Sequence, residues 1–281
     1  MTSPSPSPSP SPSASPSASP SVVPSPSHSA APSASLSAST AVLKAEARLF
    51  AREPGSHFWI IAFPTILMTI IGLIPVFREV SDDLGGRRFI DLYTQVAVLL
   101  AMIFAGLQAM PPVLTGYRER GILRRMSTTP VRPGSLLAAQ LLLHGAVALC
   151  AAVLPITVAR IAFDVQLPRN PGGYALALVL ATVSALALGA MVAALSRTQK
   201  AATAIGSAVF FPAMFTAGVW LPVQSMPDTL AGIVGFTPFG AASESLARAA
   251  TGSWPAWDGL AVMAVWTLLL TGAAARWFRW E

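Results

Sequence analysis

The residues of this sequence best suited to charged chemistry are concentrated in one stretch, GYRERGILRRMSTTPVRPGS, at residues 116–135. This stretch contains five arginines, although the whole chain is 53% hydrophobic and only 11% charged. One arginine at the centre of a bilayer costs about 2.5 to 3.5 kcal/mol, so five in one span would prevent insertion. The stretch is therefore predicted to lie in water or at the lipid surface.

Few other residues offer catalytic or metal-binding chemistry. The two lysines, Lys44 and Lys200, do not follow a glycine-rich phosphate-binding loop, so the chain is predicted not to be an enzyme that hydrolyses ATP. His144 is the one residue among His, Asp, Glu, Lys and Arg within the predicted spans, which favours a packed histidine over a proton relay. Cys150 has no second cysteine to pair with. We expect no metal site and no cofactor in this chain.

Six apolar segments are long enough to cross a membrane about 30 Å thick. The mean hydropathy of the chain is +0.61, which is typical of an integral membrane protein. The predicted spans run over residues 58–77, 92–115, 135–159, 174–195, 201–221 and 259–275. The pair Pro111 and Pro112 is predicted to kink or end the second helix, because proline donates no backbone hydrogen bond.

The distribution of basic residues predicts how the spans are oriented. The loops on one side contain 12 lysines and arginines, and those on the other side contain six. By the positive-inside rule, both termini and the arginine-rich stretch are cytoplasmic in a multi-pass plasma-membrane protein. The same rule accounts for the net charge of +6, so we do not expect nucleic-acid binding.

Two segments outside the spans have distinct compositions. Residues 1–40 are almost entirely Ser, Pro and Ala, which predicts a disordered tail before a six-span membrane domain at 41–281. The loop between the fifth and sixth spans is apolar and divided by prolines, with helices predicted at 228–234 and 239–250. Such a loop favours re-entrant or interfacial helices packed against the spans, and the alternative is an exposed amphipathic hairpin.

The arginine-rich stretch also contains a predicted helix. Residues 117–126 lack proline and are long enough for almost three helical turns, which Pro130 would end. Ile122, Leu123 and Met126 fall on adjacent faces, and charged residues occupy the others. A short polar helix between two spans suits a docking element. The alternative is that its arginines only fix the topology and contact lipid headgroups.

Two motifs resemble the membrane subunits of type-2 ATP-binding cassette (ABC) exporters, and the chain is similar over residues 41–280 to actinobacterial drug-resistance permeases. The first is YRERGILRRMSTTPVRPGSLLAAQ, which resembles the cytoplasmic element of that family at Glu119, Arg120, Leu123, Thr129 and Pro130. The second lies between the last two spans and consists of Gly218, Leu221, Pro222, Met226, Pro227, Pro238, Glu244 and Gly252. Met126 departs from the family's leucine.

The resemblance implies an all-α membrane protein. Its parts are six transmembrane helices, an N-terminal amphipathic connecting helix, a cytoplasmic coupling helix and short re-entrant or external helices between spans five and six. The implied coupling residues are Tyr117, Glu119, Arg120, Leu123, Arg124 and Arg125. The implied connecting helix, VLKAEARLFAR at 42–52, places Leu43, Ala47 and Phe50 on one face and Lys44, Arg48 and Arg52 on another, and the alternative is a simple juxtamembrane anchor.

The function implied is that of the permease subunit of an ATP-driven exporter. Its partners would be a second permease, identical or related, the lipid bilayer and a separate nucleotide-binding ATPase subunit that holds ATP and magnesium. Phe104, Met110, Phe210, Phe211 and Met214 suit a cavity for an apolar or amphiphilic drug, natural product or lipid-linked molecule, or else they are core residues. The alternative functions are a non-transporting membrane scaffold or assembly protein and an ion-coupled carrier.

Overall fold

The computed structural model describes residues 32–122 and 133–277, which form a bundle of long helices. The helices are α1 Pro32–Phe50, α2 Pro54–Leu73, α3 Phe89–Glu119, α4 Pro133–Phe163, α5 Pro171–Leu195, α6 Gln199–Ala217, α7 Asp228–Gly235, α8 Pro238–Thr251 and α9 Trp257–Trp277. The strands β1, Val80–Ser81, and β2, Arg87–Arg88, pair in an antiparallel hairpin. Helices α2 to α6 and α9 are long and apolar enough to span a membrane, which confirms the predicted all-α architecture with six spans.

Helix α1 begins earlier than the sequence predicted. Residues 32–40, which we assigned to the tail, belong to this helix. No proline interrupts the chain between Pro32 and Pro54, and proline is well tolerated in the first turn of a helix. The rest of the predicted tail, at 1–31, lies outside the described residues.

We predicted that Pro111 and Pro112 would end or kink the second helix. The helix does not end there, because α3 continues to Glu119. A π-helical segment, Phe104–Ala109, directly precedes the α-helical turn that contains both prolines. A π segment shifts the hydrogen-bond register by one residue, and this change adapts a helix to residues that donate no backbone hydrogen bond. Helix α2 shows the same arrangement, with a π segment at Phe58–Ala62 and a proline at residue 64.

Helix α3 lies at the centre of the bundle and is the most buried of the six spans. Glycines allow α5 and α6 to approach it closely. A Cβ atom on Gly189 of α5 would overlap the carbonyl oxygen of Gly106 in α3. A Cβ on Gly206 of α6 would lie 2.7 Å from the carbonyl oxygen of Leu107. Small residues at these crossings let the helix backbones come into contact.

The segment between α6 and α9 packs partly inside the bundle. Helix α8 contacts α3, α5 and α9, and most of its side chains are buried. Thr237 caps its first turn by accepting a hydrogen bond from the Gly240 amide, and Pro238 occupies the first helical position. The prediction of short helices packed against the spans is confirmed. Helix α7 is more peripheral, since Ile233 near its end is exposed.

Candidate functional site

The four residues Tyr117, Arg118, Glu119 and Arg120 form a junction at the C-terminal end of α3. The predicted continuous helix over 117–126 is wrong, because α3 ends at Glu119 and Gly121 adopts a left-handed backbone conformation with φ of +65°. Glycine reaches this conformation without steric strain, so it turns the chain sharply. The predicted coupling residues Leu123, Arg124 and Arg125 lie outside the described residues.

Tyr117 joins the end of α3 to α1. Its hydroxyl donates a 2.7 Å hydrogen bond to Glu46 Oε2, and Gln140 Nε2 of α4 donates a second, of 2.6 Å, to the same oxygen. Glu46 is only 7% exposed. Its burial raises the pKa of the carboxyl above the ordinary value, and the hydrogen bonds from Tyr117 and Gln140 oppose this shift in part. A buried carboxyl thus holds three helices together.

Arg118 and Glu119 join α3 to α5 and α6. Arg118 Nη2 donates hydrogen bonds to the carbonyl oxygens of Ala193 and Ser196, at the C-terminal end of α5. Glu119 Oε2 accepts a 3.1 Å hydrogen bond from the backbone amide of Gln199, the first residue of α6. A cation at a helix C-terminus and an anion at a helix N-terminus are both electrostatically favourable.

Arg120 folds back along α3 in the described part of the chain. Its Nε donates a 3.1 Å hydrogen bond to the Gly116 carbonyl, and its guanidinium carbon lies 5.7 Å from the centre of the Tyr117 ring. The cation–π contact and the hydrogen bond stabilise the last turn of α3. The structure therefore brings together Tyr117, Glu119 and Arg120, the three predicted coupling residues that it describes.

Helix α1 packs against α4 through the face that the sequence indicated. Lys44, Arg48 and Arg52 are exposed, whereas Leu43, Ala47 and Phe50 are partly buried. The sequence analysis missed Glu46, although its spacing from Val42 and Phe50 places it on the apolar face. The periodicity could have identified it as an acidic residue directed towards the protein.

His144 lies beside this contact between α1 and α4. It is 2% exposed, its Nδ1 lies 3.0 Å from the Gln140 carbonyl oxygen, and its ring centre is 5.7 Å from that of Phe50. This environment is that of a packed histidine, as the sequence favoured. Within residues 32–122 and 133–277, no group of three or more His, Cys, Asp and Glu side chains is placed to hold a metal ion.

A cavity of about 480 Å³ opens beside the junction. Its walls are formed by the end of α3, the segment that links α5 to α6, and the last residue of α9. The lining residues are Arg118, Glu119, Ala194, Leu195, Ser196, Arg197 and Trp277. The cavity is therefore bounded by the ends of α3, α5 and α9 and by the segment that links α5 to α6.

The predicted external signature consists of residues that shape turns and helix ends. Gly218 and Gly252, which follow α6 and α8, have φ values of +90° and +104°. Pro222 and Pro227 flank a 3-10 turn at Val223–Ser225, and Pro238 begins α8. Glu244 is exposed, and its Oε2 accepts a 3.2 Å hydrogen bond from Gln224 Nε2. These contacts give the signature residues a structural role in this chain.

The phenylalanine and methionine residues proposed for a substrate cavity occupy two environments. Phe104, Met110 and Phe210 are buried in the packed interior, with the Phe104 and Phe210 rings 4.7 Å apart. Phe211 is 60% exposed on the surface of α6, and Met214 is partly buried. The three buried residues therefore serve as core-packing residues within one chain.

These features define a multi-pass helical membrane protein whose charged side chains are placed at the ends of its spans. The sequence matches the model of the family described as ABC-2 type transporter over residues 38–249. The chain belongs to this family and is a type-2 ABC permease subunit, the transmembrane part of such transporters. Permeases of this kind work in a membrane with an ATP-binding subunit. No curated protein matches the sequence.

Proposed function

We propose that the chain is the permease half of an ATP-driven exporter that moves an apolar or amphiphilic compound out of the cell. The observation that carries this proposal is the junction at the end of α3. Its side chains bind the buried carboxyl of Glu46 in α1, the end of α5 and the start of α6. A movement applied to the loop that follows residue 122 would thus reach several spans at once.

In this proposal the loop at 123–132 contacts the ATPase subunit. Arg124 and Arg125 in that loop supply positive charge for a cleft of complementary charge, and Tyr117, Glu119 and Arg120 transmit the motion into the bundle. ATP and magnesium are held by the partner, which supplies the energy of hydrolysis. The exposed face of α1 carries Lys44, Arg48 and Arg52. In this proposal that face lies against anionic headgroups of the inner leaflet.

The substrate path in this proposal lies between two copies of the permease, or between this chain and a related one. The exposed Phe211 and Phe215 on α6 support that arrangement, because in a dimer they would face an apolar compound without leaving the membrane. In this proposal both termini lie in the cytoplasm, because the loops on the side of the junction contain the larger share of arginine and lysine.

The proposal is tested by reversing two charges in the loop. In the variant with Arg124→Glu and Arg125→Glu, we expect normal membrane levels but an association with the ATPase subunit that is about 10- to 100-fold weaker, because charged contacts at an interface are replaced by repulsion. The measurement is co-purification of the ATPase in mild detergent, followed by titration of permease-stimulated ATP hydrolysis.

The matched control reverses Arg276 and Arg279, which belong to the same side of the membrane but lie outside the loop. If both double variants lose association equally, general electrostatics explains the result and the coupling role of the loop is rejected. If the parent chain brings down no ATPase and stimulates none, the scaffold function replaces the exporter. Transport that follows a proton gradient and is lost in His144→Ala would instead favour an ion-coupled carrier.

A further inference from the structure

A second cavity, of about 540 Å³, lies at the end of α3 opposite the junction. The hairpin of β1 and β2, the segment after α4 and the last turns of α8 enclose it. Its lining includes Arg87, Arg88, Asp91, Gln95 and Arg169, and the cavity is thus considerably more polar than the spans around it. Its volume is in the range of cavities that bind small ligands and headgroups.

One side chain of the cavity lining offers a hydrogen-bond donor. Gln95 is 5% exposed and lines the cavity. Its Oε1 accepts a 2.5 Å hydrogen bond from the hydroxyl of Tyr174 in α5, which fixes the orientation of the amide. Within the described residues its Nε2 has no hydrogen-bond partner. An amide donor that lines the cavity without a protein partner is free to donate a hydrogen bond to a ligand oxygen.

Both carboxylates in the lining already have an arginine partner. Asp91 is 2.7 Å from Arg88 Nη2, and Asp164 is 2.6 Å from Arg160 Nη1. Arg88 also donates a 3.0 Å hydrogen bond to the carbonyl oxygen of Phe163, which ties the hairpin to the end of α4. These pairs neutralise the acidic groups, so the carboxylates leave no net attraction for a cation.

Two arginines of the lining lack a charged partner within the described part of the chain. Arg87 Nε donates to the Leu84 carbonyl oxygen at 3.2 Å. Arg169 donates two hydrogen bonds, of 3.0 and 2.6 Å, to the neutral amide oxygen of Gln166. Among the residues that the structure describes, no carboxylate is paired with either guanidinium group at the cavity wall, and guanidinium groups bind phosphate oxygens well.

The cavity lies at the depth of lipid headgroups. Arg88 directly precedes the first residue of α3, and Asp164 directly follows the last residue of α4. Ile161, two residues before the end of α4, is 81% exposed, as expected for a side chain that contacts acyl chains. A ligand with a phosphate in the cavity can therefore extend its chains along the apolar surface below.

We propose that this cavity binds the phosphate group of an amphiphile through Arg87, Arg169 and the Nε2 donor of Gln95. The site does not depend on the ATPase partner or on the direction of transport. Two arginines without a carboxylate partner in the described part of the chain, together with one amide donor, line the same cavity. The carboxylates of that lining are already paired with other arginines, so the site favours an anion such as phosphate. The membrane is the nearest source of such a ligand.

The test compares two lipids that differ only in the phosphate. The purified full-length chain is mixed in detergent with dioleoyl phosphatidic acid or dioleoylglycerol, and bound lipid is measured by native mass spectrometry. We expect phosphatidic acid to bind at least about tenfold more tightly than dioleoylglycerol. We further expect the variant with Arg87→Gln and Arg169→Gln to lose most of this preference, because it removes both cations.

A matched control removes the same amount of charge from exposed arginines on the same end of the bundle. Arg78→Gln with Arg248→Gln should change binding less than about twofold, because neither residue lines the cavity. A second variant, Gln95→Glu, keeps the acceptor for Tyr174 but replaces the amide donor by a carboxylate, and it should also abolish the preference. The thermal midpoint of each variant shows whether it is folded.

Two results would overturn the proposal: an equal loss in both pairs of arginine variants, or a parent chain that binds phosphatidic acid no better than dioleoylglycerol. The source of the phosphate is identified by competition with glycerol phosphate. Displacement of the lipid at millimolar glycerol phosphate supports a site that also accepts free phosphates. Failure to displace it, with the lipid preference intact, supports a site for lipid headgroups.

Discussion

The buried carboxyl of Glu46 joins helix α1 to the membrane-spanning bundle. Glu46 accepts hydrogen bonds from Tyr117 and Gln140, and the other polar atom of the Gln140 side chain, Oε1, is buried without a partner among the described residues. An incompletely satisfied polar cluster of this kind is sensitive to the charge of its members. The charge on Glu46 should therefore influence how firmly α1 is held.

The pH dependence of Glu46→Gln tests this role. Since burial raises the pKa of the Glu46 carboxyl, the folded chain binds this proton more tightly than the unfolded chain. The free energy of unfolding of the parent should therefore fall as pH rises from about 4.5 through the raised pKa. Glutamine accepts the same hydrogen bonds without ionising, so the variant should gain stability relative to the parent over that interval.

The measurement is the thermal unfolding midpoint of both proteins in detergent between about pH 4.5 and 8. Glu79→Gln is a suitable control, because Glu79 is an exposed glutamate in the segment between α2 and α3, far from Glu46 in the sequence. It should shift the midpoint less than Glu46→Gln does. A difference between parent and Glu46→Gln that stays constant across the range would contradict the argument.

At the scale of elements, close helix crossings hold α3, α5 and α6 together. Hydrophobic burial contributes little to association between helices in lipid, so their stability depends on tight packing and on hydrogen bonds between helices. Gly106, Gly189 and Gly206 supply the tight packing. The π segment at Phe104–Ala109 includes Gly106, so the same turn serves both the crossing with α5 and the accommodation of the two prolines.

Gly189→Ala should therefore destabilise the bundle by about 1 to 3 kcal/mol, because the added Cβ overlaps the Gly106 carbonyl and forces α3 and α5 apart. Gly272→Ala in α9 is the control, since a Cβ there meets no atom within 4 Å. It should be neutral or slightly stabilising, as alanine favours a helix. Equal thermal midpoints in detergent for the two variants would refute the importance of this crossing.

Across the whole molecule, α3 carries residues of both polar sites. Asp91 and Gln95 near its start line the cavity for which we propose phosphate binding, and Tyr117 to Arg120 at its end form the junction. The helix has 31 residues, which corresponds to about 45 Å. A displacement of α3 along its axis would therefore change the junction and the cavity together.

The orientation of the molecule is tested by cysteine labelling in a background with Cys150→Ser, because Cys150 is exposed. Asp228→Cys, at the start of α7, should react in intact cells with a maleimide that cannot cross the membrane. Ser127→Cys should react only after the cells are permeabilised, because the excess of arginine keeps its loop in the cytoplasm. Labelling of both positions from outside would contradict the six-span arrangement.

The sequence by itself determined the number of spans and most of their positions. A span depends on the transfer free energy of about 20 consecutive residues, which is a local property. The proline and glycine residues around α7 and α8 likewise marked their ends correctly, since backbone preferences act over a few residues. Tyr117, Glu119 and Arg120 were grouped, before the structure was known, through the resemblance of their motif to the cytoplasmic element of type-2 ABC permeases.

Only the tertiary structure decided what those residues contact. Glu119 caps a helix that begins 80 residues later, and Tyr117 binds a carboxyl 71 residues earlier, so neither partner follows from local sequence. The interruption of the predicted helix at Arg120 and Gly121 and the continuation of α3 past Pro111 were missed for a related reason. In both cases the backbone adopts a conformation that helix propensity alone does not favour, and packing between distant segments determines where it does so.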